Sequence, residues 1–227
     1  TDGESVSRTV HMTHLGPVVV GETTPWNDQY VYVMRDVNYE NYRSGDQYKD
    51  INSARNVTQL REALATHQGA AFVNTIAADV EGGALYADMS AIPNVSSELI
   101  ERCAVDTETG QRAITLNGSD PSCNWQIDSR AAYPGLMPPT EQPSLITDTY
   151  VSNSNDSYWL SNPDNPLEGF SPIIGNEQLT RSLRTRAGLK FVEEVLNSDQ
   201  KFNQSMVQNL LFNHRHYGAE IFLDDIL

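Results

Sequence analysis

The prolines of this chain are concentrated in its middle. Nine of the eleven lie between Pro93 and Pro172, in a stretch that is also rich in Ser, Asn and Asp. Proline lacks a backbone N–H and has a fixed φ, so it interrupts helices and inner strands. Only SSELIERC and TEQPSLIT in this stretch suggest short helices. Such a long loop region is uncommon in a compact domain unless it has a role, such as forming the wall of a pocket.

The segment before this stretch has the periodicity of strands with one helix. Alternating or apolar runs predict strands in SRTVHMTH, GPVVVGE and QYVYVMRDV. NVTQLREALATHQG predicts a helix with Asn56 or Thr58 at its start and Gly69 past its end. AAFVNTIAADVEGGALY predicts a hairpin, because DVEGG has the glycines that a tight turn needs.

The segment after the proline-rich stretch has helical periodicity. LTRSLRTRAGLKFVEEVLN predicts one long helix, with an interruption near Gly188 left open, NQSMVQNLLFNHR predicts a second, and GAEIFLDDIL begins a third. Strands, then a long loop, then helices indicate an α+β fold. We divide it into a sheet-forming part (1–92), a loop-rich part that forms a pocket wall (93–175) and a helical part (176–227).

The charge balance narrows the classes of function. Asp and Glu total 30 against 15 Lys and Arg, for a net charge of -15. Such an acidic chain repels phosphate backbones and anionic lipid surfaces, so neither nucleic acid nor a membrane is an expected partner. No apolar run approaches the ~18 residues of a membrane-spanning helix.

Familiar catalytic and metal-binding motifs are missing or incomplete. His11 and His14 form H-x-x-H, but this spacing on a strand places the two imidazoles on opposite faces. EGFSPIIG resembles a nucleophile elbow whose second glycine is two positions late. SNPDNPLEG is rich in oxygen ligands but lacks EF-hand spacing, and turn chemistry accounts for it, so no calcium site is predicted.

The two cysteines, Cys103 and Cys123, flank a loop-like stretch. No C-x-x-C occurs, so a zinc site is unsupported. A disulfide, which would indicate an oxidising compartment, and two free thiols both fit the sequence, and we favour the disulfide.

Asn74 is the one polar residue in an otherwise small, apolar predicted strand. A buried amide without a hydrogen bond costs roughly 1–3 kcal/mol, so it has a partner. Either it ties adjacent backbone together, or its NH₂ group points into a pocket and donates to a developing oxyanion. In the first case we expect Asn74→Ala to destabilise the fold, and in the second to leave it nearly intact.

The segments around Asn74 resemble the penicillin acylase family. FVNTIAADVEGGALY resembles the segment that carries that family's oxyanion-hole asparagine, and THLGPVV and YVMRDVNYENYRSGDQYKDINSARNVTQLREAL resemble the strands and helix before it. DSRAAYPGLMPPTEQPSLI and YVSNSNDSYWLSNPDNPLEGFSPIIG resemble the acyl-homoserine-lactone and aculeacin acylase branch. ELIERCAV and SDPSCNW look like that branch's paired cysteines. The resemblance extends from about Arg8 to the end of the chain.

This resemblance implies an N-terminal-nucleophile hydrolase that is secreted or periplasmic and cleaves itself into two chains. Such enzymes hydrolyse the amide between a fatty or aromatic acyl group and an amine, as in acyl-homoserine lactones and penicillins. The nucleophile is the serine that begins the larger chain, with its own α-amine as base. No cofactor is needed, although calcium occurs in the family. The implied fold is an αββα sandwich.

The resemblance also implies that this chain is an internal part of the large chain, because no segment resembles the small chain or the region around the nucleophilic serine. Asn74 is then the oxyanion-hole residue, Arg102 falls where a pocket arginine lies, and Asn153 and Asn155 order loops beside the pocket. The expected partners are the remaining acylase segments and a small acylated amide, and the isolated piece is expected to be inactive. The alternative is a non-catalytic binding or interaction domain of the cell envelope.

Overall fold

The computed structural model describes residue 3 and residues 5–71, 73–105, 114–198 and 202–227. Helices and short strands are both present among these residues, which confirms the α+β class. The strands are β1 (Val18–Val19), β2 (Tyr32–Val33), β3 (Thr75–Ala78), β4 (Ala84–Ala87) and β5 (Ser144–Thr147). The α-helices are α1 (Ser44–Ser53), α2 (Val57–His67), α3 (Ser97–Cys103), α4 (Leu183–Leu196), α5 (Gln204–Phe212) and α6 (Tyr217–Ile226).

A three-stranded antiparallel sheet in the order β3-β4-β5 carries the predicted hairpin. Thr75 pairs with Ala87 across the hairpin, and Ala87 pairs with Ser144 of β5. Gly82 adopts a φ of 94° in the turn, a conformation that glycine reaches without strain. The central strand β4 is buried along its whole length.

The main core lies between β4 and α2. Leu85 of β4 packs with Val57 and Leu64 of α2, and each is at most 4% exposed. Asn56, one of the two predicted caps, begins α2, since its side chain accepts a hydrogen bond from the Gln59 N–H. The other face of β4 presents Tyr86, which therefore lies on the side opposite α2.

Several predicted elements take a different form. SRTVHMTH forms no strand beyond a single bridge at Met12, and β1 and β2 are two residues each. The helix expected in TEQPSLIT is wrong: Pro139–Glu141 is one 3-10 turn, and Ser144–Thr147 pairs with β4 as the edge strand β5. Pro143 lies between the two and cannot continue a helical hydrogen-bond ladder.

The helix α4 continues through Gly188 without interruption. A Cβ at this position would lie 2.8 Å from the Ser154 Oγ, so a side chain there would collide with the loop that contains Ser154. The glycine is therefore explained by close packing of α4 against that loop.

The proline-rich stretch is held at one end by the predicted disulfide between Cys103 and Cys123, which is confirmed. The bond joins the last residue of α3 to the 3-10 turn Pro121–Cys123. The two cysteines form a second small core with Val95 and Leu99. The disulfide thus anchors the start of the proline-rich stretch, whose described residues form little regular structure.

Candidate functional site

A cavity of about 670 Å³ opens beside the hairpin, on the Tyr86 face of β4. Its walls come from the ends of β3 and β4, from the proline-rich stretch and from the approach to α4. The lining residues are Val37, Asn74, Asp88 and residues 90–93, 156–157, 173–176 and 179–182.

Asn74 lies immediately before β3 and lines this cavity. Its Oδ1 accepts a hydrogen bond of 2.5 Å from the Tyr86 hydroxyl. The Tyr86 oxygen is itself hydrogen-bonded to the side chain of Asn153, and the Asn153 Oδ1 accepts from the Asn155 N–H. Because the Tyr86 hydroxyl donates to Asn74, Asn153 acts as the donor to Tyr86.

This chain of hydrogen bonds fixes the orientation of the Asn74 amide. With Oδ1 turned toward Tyr86, the NH₂ group, which lies in the same amide plane, points away from Tyr86. In the part of the chain that the structure describes, no group accepts a hydrogen bond from this Nδ2. The side chain is therefore anchored through its oxygen, and its N–H donors are unpaired within the described ranges, on a residue that lines the cavity.

Tyr86 is the buried support of this arrangement. Its side chain is inaccessible to solvent. Burial raises the pKa of its hydroxyl above the ordinary value of 10.0, and the charge of Asp88 raises this pKa further. The hydroxyl therefore stays protonated and continues to donate to Asn74 across the neutral range. Asn74→Ala would remove the acceptor of this buried hydroxyl and should therefore destabilise the fold, whether or not the NH₂ group faces a ligand. The expectation that truncation of a ligand-facing Asn74 leaves folding intact is thus corrected.

Asp88 is a second cavity residue, and sequence reasoning missed it. The register of the hairpin, continued one residue past Thr75 and Ala87, sets Asp88 opposite Asn74 and on the same face as Tyr86. Burial raises the pKa of the Asp88 carboxyl to about 6. The position of the turn fixes the hairpin register and could have indicated that Asp88 lies opposite Asn74. The residue type alone does not indicate a site at this aspartate.

The far wall of the cavity is held in place by Asp156. Its carboxylate accepts from the Thr185 hydroxyl at 2.6 Å and pairs with Arg181 at 3.1 Å. Burial would raise the pKa of Asp156, but the hydrogen bonds from Thr185 and Ser157, with the charge of Arg181, lower it below its usual value. The hydrogen bonds of Asp156 thus connect the segment NSNDSYWLSNP to the first turn of α4.

Tyr158 in the same motif is fully buried. Its hydroxyl donates to Glu177 at 2.6 Å, and Glu177 also accepts from the Gly169 and Phe170 N–H groups. Tyr158 therefore fixes the loop that contains Gly169 and Glu177, and this loop carries part of the cavity wall.

Arg102 lies outside this cavity. It is exposed on α3 and donates to the Ser122 carbonyl at 3.1 Å, beside the disulfide. It is not one of the cavity-lining residues. The structure therefore does not bring Arg102 to Asn74, and a pocket role for Arg102 stays a prediction.

Among residues 3, 5–71, 73–105, 114–198 and 202–227, no group of three or more His, Cys, Asp and Glu side chains is placed to hold a metal ion. Over the same ranges, no helix combines the length and apolar character needed to cross a bilayer. His11 packs edge-on against Trp26.

Comparison with known proteins gives consistent matches. The sequence profile of a family described as penicillin amidase matches residues 1–226. Aculeacin-A acylase of Actinoplanes utahensis is 39% identical over 239 residues, which cover 100% of this chain and 30% of that protein. The acyl-homoserine lactone acylase PvdQ of Pseudomonas fluorescens (strain Pf0-1) is 40% identical over 83% of this chain and 25% of that protein. The chain spans less than a third of the length of these curated relatives.

Proposed function

Because this chain belongs to the penicillin amidase family, we propose that it is part of an N-acyl amide hydrolase in which Asn74 stabilises the oxyanion. The observation that carries the proposal is the anchored amide: Tyr86 holds the Asn74 oxygen, and the NH₂ group is left to the cavity. A preorganised donor of this kind is worth most where negative charge develops on a carbonyl oxygen.

The chemistry that fits this donor is nucleophilic acyl transfer. A hydroxyl attacks the amide carbonyl, a tetrahedral oxyanion forms against the Asn74 N–H, and the amine leaves to give an ester that water hydrolyses. The proposed nucleophile is the serine that begins the large chain of such acylases, in a segment other than this one. In this proposal the three-stranded sheet belongs to an αββα sandwich, and no cofactor takes part.

The substrates we propose are acyl-homoserine lactones, penicillins or related acylated linear amides. The names of the relatives support amides of this class. The cavity offers apolar side chains for an acyl tail, namely Val37, Ile92, Ile173, Ile174 and Leu179. Burial of such a tail would supply binding energy without any charged contact.

The proposed partners are the remaining segments of the same acylase. Exposed apolar side chains on α5 and α6 support this, including Leu211 at 74% and Ile226 at 77% exposure. We propose a periplasmic or secreted location, which the Cys103–Cys123 disulfide supports. The isolated chain is expected to be inactive, since the nucleophile would lie outside it.

The test is hydrolysis by the full-length protein that carries this segment. We expect release of free amine from at least one member of a panel of N-acyl homoserine lactones and penicillins. Correct self-cleavage without hydrolysis of any amide in the panel would contradict the proposal and favour the non-catalytic envelope domain.

A further inference from the structure

The carboxylate of Asp88 has no role in the proposed acyl transfer. It lines the same cavity as Asn74, and the pairing of Thr75 with Ala87, continued by one residue, sets the two residues opposite each other. Side chains in such a pair have Cβ atoms about 4.5–5.5 Å apart. A ligand atom next to the Asn74 amide is therefore also next to the Asp88 carboxylate.

The negative charge of Asp88 is not compensated by its surroundings. In the described ranges of the chain, its carboxylate forms no hydrogen bond or ion pair, and burial raises its pKa. Arg181 lies in the same cavity but is paired with Asp156. The other titratable neighbours are the neutral hydroxyls of Tyr86 and Tyr158. A partly desolvated, unpaired carboxylate favours a cation or a hydrogen-bond donor as its ligand.

We propose that Asp88 binds the amine half of the substrate, which makes this part of the cavity a subsite for N–H donors and ammonium groups and disfavours amine halves with a carboxylate on the carbon next to the nitrogen. This inference rests on the proposed function. In an amide the carbonyl oxygen and the nitrogen are bonded to the same carbon, so a group beside the oxyanion donor is beside the leaving nitrogen.

The reaction supplies the matching charge. The C–N bond breaks, and the nitrogen leaves with the proton that the nucleophilic hydroxyl gave up. The free alkylamine then takes a further proton from water at neutral pH and becomes an ammonium ion. Asp88 accepts from the amide N–H before cleavage and attracts the ammonium afterwards. An amine half with its own carboxylate next to the nitrogen would instead be repelled by Asp88.

Binding of a simple amine tests the subsite without any catalysis. The chain is titrated with n-butylammonium at pH 7.5, with n-butanol as the neutral probe of similar shape, and binding is followed by NMR shifts of Asp88 and Tyr86. We expect saturable binding of butylammonium only, reduced about tenfold or more by Asp88→Asn, since the variant loses the charge-assisted hydrogen bond to the ammonium group. Binding should also weaken below pH about 6, where the carboxyl becomes protonated.

The matched control is Asp148→Asn, which makes the same change of charge at an exposed position that does not line the cavity. It should bind butylammonium as the unchanged chain does. Equal binding by the Asp88→Asn chain and the unchanged chain would overturn the inference, and so would no binding by the unchanged chain. Neither outcome depends on hydrolysis by the full-length protein, so failure of this inference is distinguishable from failure of the proposed function.

Specificity gives a second readout in the full-length protein. The ratio of kcat/KM for an N-acyl lactone to kcat/KM for its ring-opened carboxylate should fall at least about fivefold in Asp88→Asn, because repulsion of the acid is removed. Asp148→Asn should leave the ratio unchanged. A ratio unaffected by Asp88→Asn would contradict the assignment.

Discussion

At the scale of single residues, Asn74 acts through both ends of its amide. The oxygen accepts from Tyr86, and Tyr86 is held in turn by Asn153. The structural and functional interpretations of this asparagine are therefore compatible, because different atoms carry them. A substitution informs on the donor alone only if it keeps an acceptor for the Tyr86 hydroxyl.

The family resemblance predicts Asn74 as the oxyanion donor, but the sequence did not point to the residues that lie near it in the cavity. Asp88 is opposite Asn74 only because the hairpin pairs in one register, and Asp156 meets Thr185 across 29 positions of sequence. Such neighbours depend on long-range pairing and loop packing, which local periodicity does not encode. Arg102 shows the converse, since a matching position in the sequence did not bring its side chain to the cavity.

Asp88 predicts a pH-dependent effect on stability. Its pKa in the folded chain is raised from 3.8 to about 6 by burial, so the ionised form destabilises the fold. This cost is fully present above pH about 6 and disappears as the pH falls toward 4, where folded and unfolded chains are both protonated. We expect Asp88→Asn to increase the free energy of unfolding at pH 7.5 by roughly 1–3 kcal/mol, with the gain shrinking between pH 6 and 4.

Urea unfolding of the chain at several pH values measures this difference, with Asp148→Asn as the control. A gain that is independent of pH, or a loss of stability in Asp88→Asn at pH 7.5, would show that the buried carboxylate is not the source of the cost.

At the scale of elements, Asp79 links the hairpin turn to α2. Its carboxylate accepts from the N–H groups of Glu81 and Gly83 in the turn and of Val57 at the start of the helix. Backbone hydrogen bonds, that from Val57 first, lower the pKa of Asp79 below its ordinary 3.8. Stabilisation by Asp79 is therefore present above pH about 4 and is lost as the pH falls through its lowered pKa.

We expect Asp79→Ala to lower the melting temperature at pH 7 clearly more than Glu81→Ala does. Glu81 is exposed in the same turn and carries the same charge, so it controls for electrostatics. Circular dichroism melts give the comparison, and the two variants should converge at pH 2 to 3. Equal melting temperatures of the two variants at pH 7 would mean that the link between turn and helix contributes nothing to stability.

The disulfide predicts a second effect at this scale. It closes a loop over a sequence separation of 20 residues. Loss of a cross-link of this length costs about 3 kcal/mol in the chain-entropy account. We expect the double variant Cys103→Ser/Cys123→Ser to unfold at lower urea concentration than the unchanged chain, and a reductant to have the same effect on the unchanged chain.

The chain has two cysteines, so a reductant acts on this bond alone. A matched control is therefore the double variant itself, whose unfolding curve should not respond to reductant. An unchanged chain that is equally insensitive would contradict a stabilising role for the bond.

Elements differ in how far the sequence predicts them. The amphipathic segments of α2, α4 and α5 were predicted because their periodicity is local. The helix α1 was not predicted, since its sequence is mostly polar. Its position is set by packing on α2 and by buried Gln47, which accepts hydrogen bonds from the Gly69 and Ala70 N–H groups. Alternation before the proline-rich stretch predicted longer strands than the two-residue pairs that form there.

At the scale of the whole molecule, the proline-rich stretch forms part of the cavity wall. Its described residues do not form a separate layer of helices or strands. The disulfide holds its start, while near its end Tyr158 bonds to Glu177 and Asp156 bonds to Thr185 of α4. Three separate parts of the chain consequently meet at one cavity. The chain also spans less than a third of its relatives' length, so the complete active site is a property of the longer proposed enzyme.

The most direct test of the central claim is the turnover of full-length Asn74→Asp with an N-acyl homoserine lactone. Aspartate keeps an acceptor for the Tyr86 hydroxyl but removes the Nδ2 donor, so the account predicts a fall in kcat of about 10²–10³, measured below the melting temperature, which the added charge opposite Asp88 should lower. Asn176→Asp places the same charge in the same cavity and should lose less than about tenfold. Turnover of Asn74→Asp within a few-fold of the unchanged enzyme would contradict the assignment of Asn74 as the oxyanion donor.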